Sequence, residues 1–283
     1  MEIKTLGVVG AGQMGSGIAQ VAATCGMDVL MSDINDEYLE KGFAAVGKSL
    51  GRMVKNGKIR QGDQEEALAR IQGTTSIEDM GQADFVVEAA TEDRSLKLGI
   101  FEELDRTCRE GVILSSNTSS VSITEIAGVT GRPELVIGMH FMNPVPMMAL
   151  VEIIKGLVTS AETFQTTEDL ALRMGKTPVP ANDSPGFISN RILLPMINEA
   201  IYALYEGVGA PEDIDRVMKL GMNHPIGPLA LGDLIGLDTC LAILEVLHTG
   251  LGEDKYRPCP LLRKYVAAGW LGRKSGRGFF DYS

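Results

Sequence analysis

Basic residues are scarce in this chain. Lys and Arg number 26 against 37 Asp and Glu, giving a net charge of −11 over 283 residues. Nucleic acid and anionic membrane surfaces are therefore not expected as main partners. A small anionic ligand is still allowed, because a local basic patch can override the global sign. Cysteine is scarcer still. Cys25, Cys108, Cys240 and Cys259 stand far apart, with no C-x-x-C pair and no histidine at ligand spacing. That spacing argues against a disulfide framework and a zinc site, so no metal is expected and a reducing compartment is the simpler setting. Long uncharged apolar runs are missing too. The stretch from Leu229 to Leu247 is broken by Asp233, Asp238 and Glu245, charges that a membrane span seldom carries. Met1-Glu2-Ile3-Lys4 leads directly into a strand pattern without the features of a signal peptide. The expected location is cytoplasmic. Internal repeats and low-complexity segments are absent as well.

What is present is an ordinary globular composition, 45% apolar and 22% charged, with length enough for one large domain or two ordinary ones. Up to about Asp183, short apolar runs alternate with longer amphipathic ones. Leu6–Val9, Val29–Met31, Phe85–Val87, Val112–Leu114 and Val136–Gly138 read as buried strands. The helical periodicity between them predicts an α/β fold, a doubly wound parallel sheet with helices on both faces. After Ser184-Pro185 strand patterns give way to helix punctuation. Pro211 marks a helix start, and Gly221, Gly250 and Gly269 read as stops. The expected division is an α/β domain over 1–183 and an all-helical domain over 184–283.

Gly10-Ala11-Gly12-Gln13-Met14-Gly15 follows the first strand and opens a helix pattern that runs to a stop at Gly26. In a dinucleotide fold the first such glycine makes a tight turn. The second lets a pyrophosphate approach the backbone, and the third lets helix and strand pack closely. The phosphates then sit at the helix N-terminus, where N–H groups and the helix dipole attract negative charge. A glycine turn alone is weak evidence. Here a second strand, Val29–Met31, follows and leads to Asp33. A carboxylate there can accept from a ribose 2′-hydroxyl and repel the 2′-phosphate of NADP. No Arg follows in Ile34-Asn35-Asp36. A Rossmann-type unit binding NAD is the expectation, with Asp33 as the residue that would favour NAD over NADP.

From Lys41 to Arg60 the general acidity reverses: Lys41, Lys48, Arg52, Lys55, Lys58 and Arg60 occur with no acidic residue among them. Lys41, Lys48, Arg52 and Lys55 share one helical face, and Phe43, Val46, Leu50 and Met53 form the opposite, core-facing stripe. A solvated helix face and a dock for a phosphate-bearing substrate both fit that pattern. Of three histidines, His140 has the most suggestive setting, at the carboxyl end of a strand and before the stiff loop Asn143-Pro144-Val145-Pro146. Glu152 is a lone carboxylate in the apolar run Leu150–Ile154, so it needs a partner. A loop returning the chain beside the preceding strand would bring Glu152 to His140. A histidine oriented and made more basic by a carboxylate suits deprotonation of a hydroxyl; a purely structural histidine is the alternative. The run Ser115–Ser120 could cap a helix or offer hydroxyls to a substrate oxygen. Asn190 opens the helical domain at the expected cleft, while His224 and His248 read as structural.

Taken together, Val9–Gly15, Ser116-Asn117-Thr118-Ser119-Ser120, His140-Phe141-Met142-Asn143-Pro144, Ser184-Pro185-Gly186-Phe187 leading to Asn190-Arg191, and Gly269–Gly276 resemble the L-3-hydroxyacyl-CoA dehydrogenases, in order and over essentially the whole chain. The resemblance is closest to the short bacterial 3-hydroxybutyryl-CoA enzymes. It implies His140 as acid/base, Glu152 as its partner, and Ser119 and Asn190 on the substrate oxygen. It places Gly10, Gly12, Gln13, Met14, Gly15, Asp33, Glu92, Lys97, Asn143 and Lys274 against NAD, and Ser49, Arg52 and Lys55 against coenzyme A. The implied reaction is reversible oxidation of (S)-3-hydroxyacyl-CoA to 3-oxoacyl-CoA. Ala149 stands where relatives usually carry Lys and Met142 where Phe is common; both flank the His140/Glu152 pair and bear on substrate fit. Two other readings stay open: a dehydrogenase of small free hydroxy acids, and a non-catalytic NAD-binding subunit. Apolar faces around Leu193–Ala203 and Leu229–Leu247 imply a homodimer or higher homo-oligomer, with 184–283 as the substrate-cleft and dimerisation domain.

Overall fold

The computed structural model describes residues 2–283, and the chain forms two compact units that meet between Asp183 and Ser184. The first holds one sheet of eight strands: β1 (Thr5–Val9), β2 (Asp28–Ser32), β3 (Ile71–Thr74), β4 (Phe85–Glu88), β5 (Ile113–Ser116), β6 (Val136–Phe141), β7 (Leu150–Lys155) and β8 (Thr177–Asn182). Their spatial order is β3-β2-β1-β4-β5-β6-β7-β8. The helices are α1 (Gln13–Thr24), α2 (Asp36–Lys55), α3 (Gln61–Ala69), α4 (Arg94–Thr107), α5 (Ile123–Ala127) and α6 (Ala161–Arg173). Leu6, Val8, Phe85 and Val87 of the central strands are fully buried, as strands covered on both faces require. The order reverses between β1 and β4, which places a topological switch point at their carboxyl ends.

The sheet departs from the expected parallel pattern at one end. β1 to β6 are parallel, but β7 returns antiparallel to β6, and β8 runs parallel to β7. Apolar runs do not reveal the edge strands β3 and β8. Ile71-Gln72-Gly73-Thr74 and Thr177-Pro178-Val179-Pro180-Ala181-Asn182 need no continuous apolar run, because an edge is partly solvated. Proline is tolerated there since one side of the strand has no ladder to complete.

The basic helix ends with its charged face. α2 ends at Lys55, followed by Asn56 and then Gly57 at φ 67°, so Lys58 and Arg60 lie beyond it. Its buried side is Leu39, Gly42, Val46 and Leu50, while Lys41, Lys48, Arg52 and Lys55 are exposed. Phe43 and Met53 are only partly buried.

The second unit consists of α7 (Ser189–Tyr205), α8 (Pro211–Gly221), α9 (Pro228–Ile235), α10 (Leu237–Leu251) and α11 (Pro260–Ala267). Its core gathers Leu194, Ile197, Leu229, Leu237, Leu244 and Leu262. α10 passes through Gly250 and stops at Gly252, which takes φ 66°. Gly250 is needed for another reason: a Cβ there would stand 2.8 Å from the Pro185 ring. After α8 it is Asn223, at φ 58°, that enters the left-handed region. The charges that break up the apolar stretch are satisfied locally. Asp233 accepts from the backbone N–H groups of Phe279 and Phe280 and from the Tyr282 hydroxyl, all at 3.0 Å. Burial nevertheless holds its carboxyl above the usual range. Asp215 accepts from Leu229 and Ala230 N–H groups at the start of α9, where a carboxylate also meets the positive end of the helix dipole. Among the described residues no helix is long and apolar enough to cross a membrane.

Candidate active site

The glycine turn at the end of β1 has the shape its sequence implies. Gly10 takes φ +103°, and a Cβ there would come within 2.7 Å of the Ala89 carbonyl oxygen. A Cβ on Gly15 would lie 1.8 Å from the Gly10 oxygen, whereas one on Gly12 meets nothing within 4 Å. Two glycines thus allow close backbone packing and the third keeps space open beside the helix. Gln13 and Met14 form the first turn of α1, which carries no side-chain cap, so its N–H groups are available to an anion. Asp33 follows β2. Its carboxylate accepts from the N–H of Ala11 and of Ile34, each at 2.7 Å, which ties the acidic residue to the glycine turn. A cavity of about 800 Å³ runs past Gly10, Gly12, Asp33, Tyr38, Leu96 and Ile100. Open backbone at the turn, a carboxylate at the second strand and apolar walls suit a dinucleotide with an unphosphorylated adenosine ribose.

A buried polar network stands at the ends of β4 and β5. Lys97 of α4 is 1% exposed and Glu88 of β4 fully buried, with their charged groups 2.7 Å apart. Glu88 also accepts from the Ala90 N–H at 2.7 Å and the Ser116 hydroxyl at 2.6 Å. The Lys97 ammonium lies 3.3 Å from Glu92 as well. Glu92 in turn gathers the serine run: it accepts from the hydroxyls of Thr118 and Ser120, both at 2.6 Å, and from the N–H of Ser119 at 2.9 Å. Burial pushes its carboxyl upward, but Lys97 and these donors outweigh that and leave it below the ordinary value. Ser115 and Ser116 are therefore strand residues with internal partners, and Ser119 and Ser120 are the partly exposed hydroxyls of the group. Glu88, which accepts from Ser116 of the serine run, is the support that motif reading passes over. The signal for Glu88 is akin to that for Glu152: a carboxylate at the end of an apolar strand in the one case and inside one in the other.

His140 lies within β6 and Glu152 within β7, and the antiparallel register sets them directly opposite each other. Nδ1 of His140 is 2.8 Å from Oε2 of Glu152, with His140 8% and Glu152 1% exposed. A carboxylate only accepts, so Nδ1 carries the hydrogen and the lone pair is on Nε2, the tautomer suited to taking a proton. The neighbouring strand supports the backbone here, because the Asn117 side chain accepts from the N–H of Phe141 at 2.9 Å. Past β6 the loop brings Asn143 to the dinucleotide turn, where its side-chain Oδ1 accepts from Nε2 of Gln13 at 3.0 Å. Met142 is partly buried and Ala149 exposed.

The remaining residues singled out by sequence lie on other elements. Ser49 is half-buried on α2, and Arg52 and Lys55 project from the same helix. In the second unit Asn190 opens α7, and Lys274 is ion-paired with Asp238 at 2.5 Å.

Residues 5–184 match the family described as "3-hydroxyacyl-CoA dehydrogenase, NAD binding domain", and residues 186–282 match "3-hydroxyacyl-CoA dehydrogenase, C-terminal domain". A Bacillus subtilis (strain 168) protein named "Probable 3-hydroxybutyryl-CoA dehydrogenase" is 61% identical over 282 residues, 100% of this chain and 98% of that one. A 3-hydroxybutyryl-CoA dehydrogenase of Bradyrhizobium diazoefficiens is 52% identical over 99% of this chain and 96% of its own. Among solved structures, (S)-3-hydroxybutyryl-CoA dehydrogenase from Ralstonia eutropha superimposes with a TM-score of 0.97 at 55% identity, covering 100% of both chains.

Proposed function

The chain belongs to the 3-hydroxyacyl-CoA dehydrogenase family, and on that footing we propose that it interconverts (S)-3-hydroxybutyryl-CoA and acetoacetyl-CoA with NAD. The observation that carries the reading is the cross-strand pair His140–Glu152 beside the β6–β7 loop that meets the glycine turn. Oxidation removes a proton from the C3 hydroxyl and a hydride from C3. Gly10, Gly12, Gln13, Met14, Gly15, Asp33 and Asn143 would hold NAD, which would supply the hydride acceptor. His140 accepts the hydroxyl proton at Nε2 and returns it in the reverse direction, and Glu152 fixes the imidazole's tautomer and steadies the imidazolium. The family resemblance assigns Ser119, whose N–H is held by Glu92, to the substrate oxygen. Lys97 holds Glu92 and Glu88 in place. The family resemblance assigns Asn190 to the substrate oxygen and Lys274 to NAD. Consumption of NADH with acetoacetyl-CoA tests the whole reading. A folded, NAD-binding protein that turns over nothing, or that prefers free acetoacetate, overturns it.

Two assignments have their own measurements. Asp33→Ala removes the carboxylate that would accept from the ribose, a hydrogen bond worth about 1.4 kcal/mol or a factor of roughly ten. The kcat/KM ratio for NADH over NADPH should fall by about that factor or more, since the repulsion of the 2′-phosphate is lost too. An unchanged ratio would remove Asp33 as the determinant. The exposed cations of α2 are assigned, with Ser49, to the phosphates of coenzyme A. Reversing Arg52 and Lys55 to Glu should raise the KM for acetoacetyl-CoA on the order of tenfold at low ionic strength, with the gap narrowing as salt is added. KM for NADH should stay put. An unaltered acyl-CoA KM would return the cluster to an ordinary solvated surface.

A second copy of the chain is the macromolecular partner we assign to the helical unit. Ile192, Val208, Val217, Leu220 and Met222 are each at least 60% exposed there, beside an apolar groove of about 460 Å³ between α7 and α8. Apolar exposure on that scale is characteristic of an interface. Light scattering at micromolar concentration should report a dimer or larger; a monomer refutes the assignment.

A further inference from the structure

Lys176 joins α6 to β8, outside every motif considered above, and is 8% exposed. Its ammonium donates to the carbonyl oxygens of Val145 at 2.6 Å and Met148 at 2.9 Å. Burial pushes the ammonium below its ordinary value, with the nearby Cys25 thiol opposing. A lysine buried on two neutral carbonyls is unfavourable by itself, so the geometry it enforces deserves a reason.

Both carbonyls belong to the loop between β6 and β7. The N–H groups of Met147 and Met148 turn back to the Pro144 oxygen at 3.0 and 3.1 Å, and the Ala149 oxygen accepts from the Thr177 N–H at 2.7 Å. The residue after Lys176 thus holds the far end of the loop that the ammonium grips in the middle. The opposite side of the loop lies against α1. Val145 is 2% exposed, and a Cβ added to Gly17 would approach its Cβ to 2.9 Å. At the loop's start, Asn143 accepts from Gln13, the first residue of α1.

We propose that Lys176 is a positioning residue for the cofactor: by clamping the Val145 and Met148 carbonyls, it presses the loop onto α1 and holds Asn143 at the dinucleotide turn. The proposal rests on assigning that turn to NAD. It predicts an effect on cofactor affinity and little on proton transfer, because the His140–Glu152 distance is set by strand register and not by the loop.

Lys176→Met keeps an unbranched stem and removes the donors. NADH affinity, read by fluorescence titration, should weaken roughly tenfold, the loss of one to two hydrogen bonds' worth of positioning. KM for NADH should follow while kcat at saturating NADH holds. Amide hydrogen exchange should quicken at Met147 and Met148 and stay slow at Val151–Ile154. Lys176→Arg, which retains two N–H donors, should recover most of the affinity. Gly17→Ala displaces Val145 from the other side and should weaken NADH binding with the lysine intact. Unchanged affinity and exchange in Lys176→Met overturn the clamp, as does a fall in kcat without a fall in affinity. If Lys176→Met does not fold, unchanged affinity in Gly17→Ala overturns it instead. Titration and exchange need no turnover. A wild-type protein that binds NADH yet leaves acetoacetyl-CoA untouched would therefore defeat the enzymatic reading without deciding this one.

Discussion

His140→Ala should lower kcat for acetoacetyl-CoA reduction by roughly 10²- to 10⁴-fold, the usual contribution of a positioned acid/base, while NADH still binds. The imidazole makes its contact with the reacting proton in the transition state, so kcat and kcat/KM should fall together. Glu152→Gln is the more informative variant, because it preserves shape in a position that is 1% exposed. A carboxylate can only accept and therefore forces the hydrogen onto Nδ1. A glutamine can present its NH₂ to Nδ1 as readily as its oxygen, which allows the tautomer whose Nε2 is already protonated. It also removes the negative charge that steadies the imidazolium. Its kcat should drop roughly 10²-fold or more for these two reasons. If either variant keeps wild-type kcat, the roles assigned to the pair are wrong.

The largest expected effect on stability comes from Lys97→Met. Glu88, fully buried, would keep the Ala90 N–H and Ser116 hydroxyl but lose its only countercharge within 4 Å among the described residues. Breaking one partner of a buried ion pair costs about 3–5 kcal/mol. For a protein of this size that is a fall in Tm of roughly 6–20 °C. The exposed ion pair Lys41–Glu37, at a similar 2.6 Å, gives the contrast: Lys41→Met should change stability by about 1 kcal/mol at most. Adding Glu88→Gln to Lys97→Met should recover part of the loss, since the orphaned charge is gone and the amide oxygen can still accept both remaining donors. A double-mutant cycle with no coupling between the two positions would show that the pair is not what stabilises this region.

Sequence reasoning succeeded where chemistry clashes with its surroundings. Glu152 stands out because a carboxylate does not belong in an apolar strand without a partner, and the antiparallel return of β7 supplies that partner in register. The glycine turn is visible because only glycine suits the close packing at Gly10 and Gly15. β3 and β8 escape notice because edge strands are released from the apolar pattern that marks central ones. The helical face of Lys41, Lys48, Arg52 and Lys55 is legible because charge there keeps helical spacing up to the Asn56-Gly57 stop. Lys97 and Glu88 lie nine positions apart on a helix and a strand, so their pairing needs the β4–α4 packing before it can be seen. Lys176 leaves no trace at all: its partners are backbone carbonyls, which every residue possesses, so nothing in the side chains at 145 and 148 betrays the contact.

The cross-strand meeting of His140 and Glu152 has a consequence for how such a chain can vary. Ladder hydrogen bonds fix the spacing of the pair, so the loop from 142 to 149 can be rewritten or lengthened without moving either member. A slip of one residue along β7 is different, since it would turn Glu152 to the other face of the sheet. The His140–Glu152 spacing is therefore insulated from the segment beside it, whereas the Asn143 contact is not. Met142 and Ala149 are the positions there that the family resemblance links to substrate fit, and a library confined to them should yield altered selectivity far more often than dead enzyme.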